Sequence, residues 1–386
     1  MQISELFESI HLMPEISGHE SHTINILCNF LESETDLDIH NKNGWLYGIH
    51  HEGKNLPTIA IRADMDAIYR SNGEPFHGCG HDGHSSMAAG AASLISGRNV
   101  GKNVIFLFQP AEETGAGAEI CFPLFDEHHV DMIMGLHNIP GFKKGQLLFS
   151  KDTFADASEG LTIRLTGQQS HAGYPGQGAN PAFAAAEIIQ KIPDILKMNY
   201  NGFVLITVVS INVGEKNFGI SAGEAEICLT LRSEKSEDLL TLEKNVLKCA
   251  ENACIKHPGY SILEYKRIRG TFVKHGIGTK SHPATDLISV DFSRHDVFPG
   301  TENIPEDSFR FKNSMEDKGF NCRWLAEPMR WSEDFGHYRD CTRSFFFGLG
   351  SGEECPGLHT ENYVFPEDLL ELGARTWVEM IDSAVI

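Results

Sequence analysis

The sequence predicts an α/β domain on a mixed, mostly parallel sheet, interrupted by an inserted α+β domain of ferredoxin-like order. Three observations predict it. Continuous apolar runs such as NVIFLF (103–108) and MIMGLH (132–137) alternate with helical segments, as strands buried on both faces of a parallel sheet do. Near residue 160 the texture changes to strands that alternate apolar and polar residues, as in LTIRLT (161–166), which suits a half-exposed sheet. After about residue 300 the chain returns to helix and apolar strand, so the second pattern lies inside the first.

In order, 3–12 has spaced apolar positions and reads as a helix ending before Pro14, and 17–33 reads as a second helix. TIAIR (58–62) is a strand, the Ala- and Gly-rich 84–96 a helix, and 103–108 and 132–137 are buried strands. The insertion reads as strand 161–166, helix 180–191, strands 202–212 and 224–232, helix 236–253 and strand 287–292. That order folds into a small sheet with helices on one face. SFFFGL (344–349) is another apolar strand, and the last helix runs over 366–381. The expected domains are 1–158 with 300–386, and 159–299 between them.

A chain of 386 residues has room for two or three domains of ~150 residues. Its 32 Lys and Arg against 53 Asp and Glu give a net charge of −21, which disfavours nucleic acid or an anionic membrane as the main partner. No apolar run is long enough to span a bilayer, and the start, MQISELFESIHLMPEISG, lacks the long apolar stretch of a secretory signal. Nine scattered cysteines read as reduced thiols, so a cytoplasmic protein is expected. The 19 histidines are the unusual component, and several cluster with Cys, Asp and Glu.

The strongest cluster is HGCGHDGH (77–84), in a glycine-rich turn between a strand and a helix. Cys79 and His81 stand two apart and can face one ion; thiolate and imidazole suit Zn²⁺ and its first-row neighbours. Asp82 is placed to accept a ring N–H and fix a ligand's tautomer. QPAEE (109–113) follows the strand NVIFLF directly, at the carboxyl end where α/β proteins place ligands. Adjacent side chains point different ways, so one of Glu112 and Glu113 can bind metal while the other holds a water as general base. His137 in GLHN and His359 in GLHTEN are further metal-capable groups near strand ends. Each alone reads more readily as a hydrogen-bonding residue; the argument rests on the set. Cys79, His81, Glu113, His137 and His359 are too many ligands for one tetrahedral zinc and suit two ions sharing a bridging ligand, with water completing the shells.

These motifs, in this order, resemble the M20 metallopeptidase family and specifically its amidohydrolase branch, which includes hippurate hydrolases and auxin–amino acid conjugate hydrolases. The matching stretches are RADMDA (62–67), HGCGHDGH (77–84), QPAEE (109–113), GLHN (135–138), GQQSHA (167–172), SEDF (332–335) and GLHT (357–360), spread over most of the chain. The resemblance implies a metal-dependent amidohydrolase of N-acyl amino acids, with a catalytic α/β domain and an inserted lid. It makes Cys79, His81, Glu113, His137 and His359 the ligands of two divalent ions and Glu112 the general base. Zn²⁺ or Mn²⁺ is expected, with Ni²⁺ or Co²⁺ as alternatives. His171 matches the lid histidine that stabilises the oxyanion, often across a dimer, and a homodimer through the lid is implied. Asn303 falls in a stretch, 294–303, that rejoins the family pattern and is expected to bind substrate. Asp66 is expected to orient a ligand, and Arg232, at a lid strand end, to clamp the product carboxylate.

The sequence departs from the family pattern in three places. The loop 68–77 is short, with Tyr69, Arg70 and Ser71 where a proline and glutamate are usual; Ala222 stands where the lid usually has proline; and 260–284 looks like an insertion. A metallo-exopeptidase or dipeptidase of the same family, and a non-catalytic binding protein on the same fold, are the rival readings. Cys79, where such a dipeptidase usually has Asp, weighs against the first, and the complete ligand set with Glu112 against the second.

Overall fold

In a computed structural model of the protein, Asn103–Gln109, Thr58–Asp64, Met132–Pro140 and Arg343–Gly352 lie side by side and parallel at the centre of an eight-stranded sheet. Trp45–His50 and Asp38–Lys42 extend one side antiparallel. Leu147–Phe149, antiparallel to its neighbour, and Cys322–Trp324 extend the other. The structure describes residues 1–257 and 288–384, and between them only the backbone of the paired strands Leu263–Ile268 and Thr271–Gly276.

The central strands are apolar throughout because both faces are covered. Ile59, Ile61, Val104, Phe106, Met132 and Met134 point to one core, under the helices Ile3–His11, Ser21–Glu34, His81–Ile95 and Leu370–Ser383. Ala60, Ile105, Leu107 and Ile133 point to a second core on the opposite face. The Ala-rich helix His81–Ile95 is buried along most of its length, and a Cβ on Gly90 would come within 2.4 Å of Ile3 Cδ1, so a larger residue there would displace the Ile3 side chain.

The connections set the site. From Thr58–Asp64 the chain runs through His81–Ile95 to Asn103–Gln109 on one side, then crosses to Met132–Pro140 on the other. The next connection continues away from that first strand to Leu147–Phe149. Connections therefore diverge at the carboxyl ends of Thr58–Asp64 and Met132–Pro140, which opens the crevice where such sheets bind ligands.

The chain divides into two units, 1–156 with 298–386, and 157–297. In the second, the strands run in the order Val204–Val213, Glu224–Ser233, Ala157–Thr166 and Ser289–Phe298, the ferredoxin-like arrangement. Ala225, Ile227, Leu229 and Leu231 face a core shared with the helices Ala182–Ile195 and Ser236–Lys256, while their neighbours along the strand face outward.

Several boundaries differ from the sequence expectation. The second helix starts at Ser21, not 17, because the Glu15 carboxylate accepts the N–H groups of His22 and Thr23 and Ile16 is drawn into a bridge with Ala67. The third helix starts at His81, not 84, which puts half of HGCGHDGH in its first turns. The strand expected over 287–292 is Ser289–Phe298, with 287 outside the described residues. The stretch 260–284 also lies outside them, apart from the hairpin backbone. Among the described residues no helix is long and apolar enough to cross a membrane.

Candidate metal centre

Two backbone features turn the strand ends into a site. Gly80 has φ 94°, and a Cβ there would meet Asn138 Oδ1 at 2.5 Å and Tyr363 OH at 2.8 Å. Glycine is thus required for the turn that presents Cys79 and His81 from opposite sides of the helix start. Ala111 has φ 52°, a left-handed conformation that ends Asn103–Gln109 and starts the short turn Glu112–Thr114. His359 is also left-handed, at φ 62°.

The side chains form two triads that share one atom. Cys79, His81 and His137 offer ligand atoms within 4.8 Å of one another, and so do Cys79, Glu113 and His359. Cys79 Sγ lies 3.3 Å from His137 Nε2, and Glu113 Oε1 lies 3.3 Å from His359 Nε2. The imidazoles are pre-oriented. The Asp66 backbone oxygen and Oδ1 both lie 3.0 Å from His81 Nδ1, and the Asn138 backbone oxygen 2.7 Å from His137 Nδ1. Each Nδ1–H donates outward, which leaves each Nε2 lone pair facing the site. His81 Nε2 and Glu113 Oε1 are buried without a hydrogen-bond partner and stand 3.9 Å apart. Unpaired acceptors converging in a buried basin are what a cation would satisfy, and thiolate, imidazole and carboxylate are suitable donors. Divalent ions therefore fit these residues.

The two adjacent glutamates both bring an oxygen to 3.9 Å from His81 Nε2, but their other contacts differ. Glu113 belongs to the triad with His359. Glu112 is buried, accepts the Asp334 N–H through Oε1 at 3.3 Å, and holds Oε2 3.9 Å from His81 Nε2. Asp66 ties the turns together: Oδ1 holds His81, and Oδ2 accepts the Glu113 N–H at 3.1 Å and the Ser17 hydroxyl at 2.6 Å. Asp82, expected to orient a ligand, does not; its Oδ2 lies 2.6 Å from His11 Nδ1, and Asp66 takes the orienting role because it follows directly from the strand end beneath His81.

The basin is strongly acidic. Asp64, Glu112, Glu333 and Asp334 surround the Arg62 guanidinium, and Asp66 and Glu113 line the same basin beside His81. Burial alone would lower the His81 pKa, but Asp64, Asp66 and Glu113 outweigh it and raise it to about 10 in the metal-free basin, so a divalent ion would take the place of the Nε2 proton. Burial, and next to it His84, hold His137 well below its ordinary value, so this ring is neutral and ready to donate a lone pair. Burial first, then Glu113, Glu112 and Glu333, push the Cys79 thiol well up; a bound divalent ion reverses that preference. Burial, then Glu333, Glu113 and Asp334, hold the Glu112 carboxyl well above the usual carboxylate range.

Residues 60–383 match the model of peptidase family M20/M25/M40. The chain belongs to this family. Among its relatives, a hippurate hydrolase of Campylobacter jejuni is 25% identical over 398 residues, covering 98% of this chain and 95% of that protein. An uncharacterized hydrolase of Staphylococcus epidermidis is 27% identical, covering 94% and 92%. The structure of a dinuclear metal-binding M20 peptidase from Bacillus subtilis superposes with a TM-score of 0.77 at 20% identity, covering 98% and 96%. The protein is therefore an M20-family hydrolase of the α/β-plus-insertion fold.

Of the remaining expected residues of this M20 chain, His171 and Arg232 lie in the second unit and Asn303 in the first. His171 is exposed in the second unit, where its Nδ1 accepts the Gly173 N–H at 3.0 Å and its backbone bridges Ile220. Arg232 is half-buried near the end of Glu224–Ser233, opposite Leu205 and Ser158. Asn303, expected to bind substrate, is buried with its side-chain amide spent on the backbone of Phe346, at 2.8 and 2.7 Å. These bonds fit a brace of the strand Arg343–Gly352. Sequence reasoning gave no role to Arg62, Glu333 or Asp334, although an arginine inside the apolar strand TIAIRAD and the acidic pair of SEDF were both visible signals. Trp331, whose ring lies 4.9 Å from that of His137, was also passed over.

Proposed function

We propose that this hydrolase cleaves the amide bond of small N-acyl amino acids or peptide-like analogues with a water that Glu112 deprotonates. The observation that carries the reading is a buried glutamate whose Oε2 stands 3.9 Å from His81 Nε2, beside two ligand triads joined through Cys79. Cys79, His81 and His137 would hold one divalent ion, and Cys79, Glu113 and His359 a second, with Zn²⁺ or Mn²⁺ favoured and Ni²⁺ or Co²⁺ as alternatives. Such ions, when bound, lower the pKa of water and polarise a carbonyl. Glu112 takes the proton from the attacking water as its oxygen adds to the amide carbon, then returns it to the leaving nitrogen. The family resemblance assigns the developing oxyanion to His171, and the amino acid carboxylate falls to Arg232 as a paired hydrogen-bond donor.

The test is a panel of N-acetyl, N-benzoyl and N-indoleacetyl amino acids, with metal-stripped protein reloaded separately with Zn²⁺, Mn²⁺, Co²⁺ or Ni²⁺ and free amine followed. Metal-dependent release of amine is expected. Silence with every metal, on protein holding two ions per chain, would overturn the reading. If hydrolysis instead requires a free amine on the substrate, the exopeptidase reading replaces it.

We also propose a homodimer through the second unit. Val204–Val213 is the edge strand of its sheet, yet it exposes Leu205, Val208, Val209, Ile211 and Val213. A long apolar edge is ordinarily covered, and an isologous copy is a simple way to do it. Sedimentation of the parent as a dimer, and of Val209→Lys with Ile211→Lys as a monomer, is expected; a monomeric parent would refute it.

A further inference from the structure

Glu20 lies just before the second helix, outside every motif discussed so far. Its side chain is only 3% exposed, and Oε1 accepts two backbone N–H groups, of Gly18 at 2.9 Å and of Ala111 at 2.8 Å. Ala111 is the left-handed residue immediately before Glu112. An L residue disfavours that conformation, because its Cβ crowds the following carbonyl, so the surroundings must hold it. On the carbonyl side, Ala111 accepts the Gly117 N–H and the Thr114 hydroxyl, both at 3.1 Å. On the amide side, Glu20 is its partner.

The same short segment reaches the other turn. Ser17 donates to Asp66 Oδ2, the oxygen that also accepts the Glu113 N–H. The Glu15 carbonyl accepts the Ala67 N–H at 2.8 Å, and Ile16 bridges Ala67. Segment 15–20 is thus bonded to the residues flanking Asp66 on one side and to the residue before Glu112 on the other.

We propose that Glu20 is a positioning residue: through Ala111 it maintains the left-handed backbone that brings both the Glu112 and the Glu113 carboxylates to 3.9 Å from His81 Nε2. It touches neither substrate nor metal ligand, and it acts on the general base and on one ligand together. The proposal rests on the functional assignment of those two glutamates.

Glycine adopts positive φ without the Cβ penalty, so it provides the test. Four proteins are compared: the parent, Glu20→Ala, Ala111→Gly and the double variant. Small misplacements of catalytic groups cost up to ~10²-fold, and Glu20→Ala is expected to lower kcat by ~10-fold or more with a smaller change in KM. It is also expected to weaken retention of the second Zn²⁺ equivalent, which needs Glu113. Ala111→Gly alone stays near the parent, and the double variant recovers most of both losses. Glu20→Gln, which keeps an acceptor oxygen, stays near the parent as well. A Glu20 that served only to stabilise the fold would leave the double variant as impaired as the single one.

The proposal is overturned if Glu20→Ala matches the parent, or if the double variant is as slow and as weak in Zn²⁺ as the single. Should Glu20→Ala fail to fold, recovery of fold and turnover in the double variant supports the proposal, and continued failure overturns it. Should the parent hydrolyse no N-acyl amino acid, the functional reading fails separately, and the Zn²⁺ titrations of the four proteins still decide.

Discussion

Glu112→Gln is expected to abolish most turnover, lowering kcat by ~10²–10⁴-fold, the usual contribution of a positioned general base. The side chain keeps its shape, and Gln Oε1 can still accept the Asp334 N–H that Glu112 accepts at 3.3 Å. Neither triad contains Glu112, so both should still bind their ions. What is lost is the ability to take a proton and give it back. Steady-state kinetics together with metal content per chain check the prediction. Turnover at the parent rate would show that Glu112 is not the base. Glu113→Gln, one residue on, should instead lose an ion, because that carboxylate stands 3.3 Å from His359 Nε2.

Arg62→Leu is expected to destabilise the protein by ~3–5 kcal/mol, as breaking a buried ion pair does when one partner is left uncompensated. Arg62 is 1% exposed and bonds Asp64 Oδ2 at 2.5 Å, Asp334 Oδ1 at 2.7 Å and Gln109 Oε1 at 2.8 Å, with Glu333 at 3.4 Å. No other guanidinium or ammonium among the described residues is bonded to these acids. Leucine cannot replace those interactions, and the carboxylates would be left repelling one another in a dry interior. Thermal unfolding of metal-free protein should fall by roughly 10 °C. The effect has a pH signature. Burial already raises Glu333 to about 8, against the pull of Arg62. A raised carboxyl contributes stability that is fully present below its unfolded pKa and lost as pH rises through the folded one, and removing Arg62 raises it further. The deficit of the variant should therefore widen as pH rises above about 8, where the parent's Glu333 ionises and the variant's does not. A melting temperature within 2 °C of the parent, well under the ~3–5 kcal/mol expected, would show that the guanidinium is not the keystone of the basin.

The two predictions separate what was legible along the chain from what was not. Glu112 was identifiable because it stands beside Glu113 at the end of an apolar strand, and a strand end in an α/β sheet is a place with known chemistry. Arg62 sits in the same kind of strand, but no local pattern tells whether a lone buried arginine meets acids, and its partners Glu333 and Asp334 are some 270 positions away in the chain. Asp82 illustrates the converse. It is adjacent to His81 in sequence, yet it faces His11 of the first helix, since the helix that begins at His81 turns successive side chains through ~100° each.

The sequence by itself determined the class of the fold, the positions of the apolar strands, the insertion and the metal-capable residue types, because each is carried by local periodicity or by the chemistry of one side chain. Tertiary structure alone decided that Cys79 is the atom common to both triads, that His81 is the ligand Asp66 holds, and that the Asn303 amide is bonded to the Phe346 backbone. It also decided where the helices begin, through Gly80 at φ 94° and the Glu15 cap on the second helix. The reason is physical. Periodicity reports which face of an element is apolar, whereas a hydrogen bond or a shared ligand depends on distances of a few ångströms between residues far apart in the chain. Those distances exist only once the sheet has brought its strand ends together.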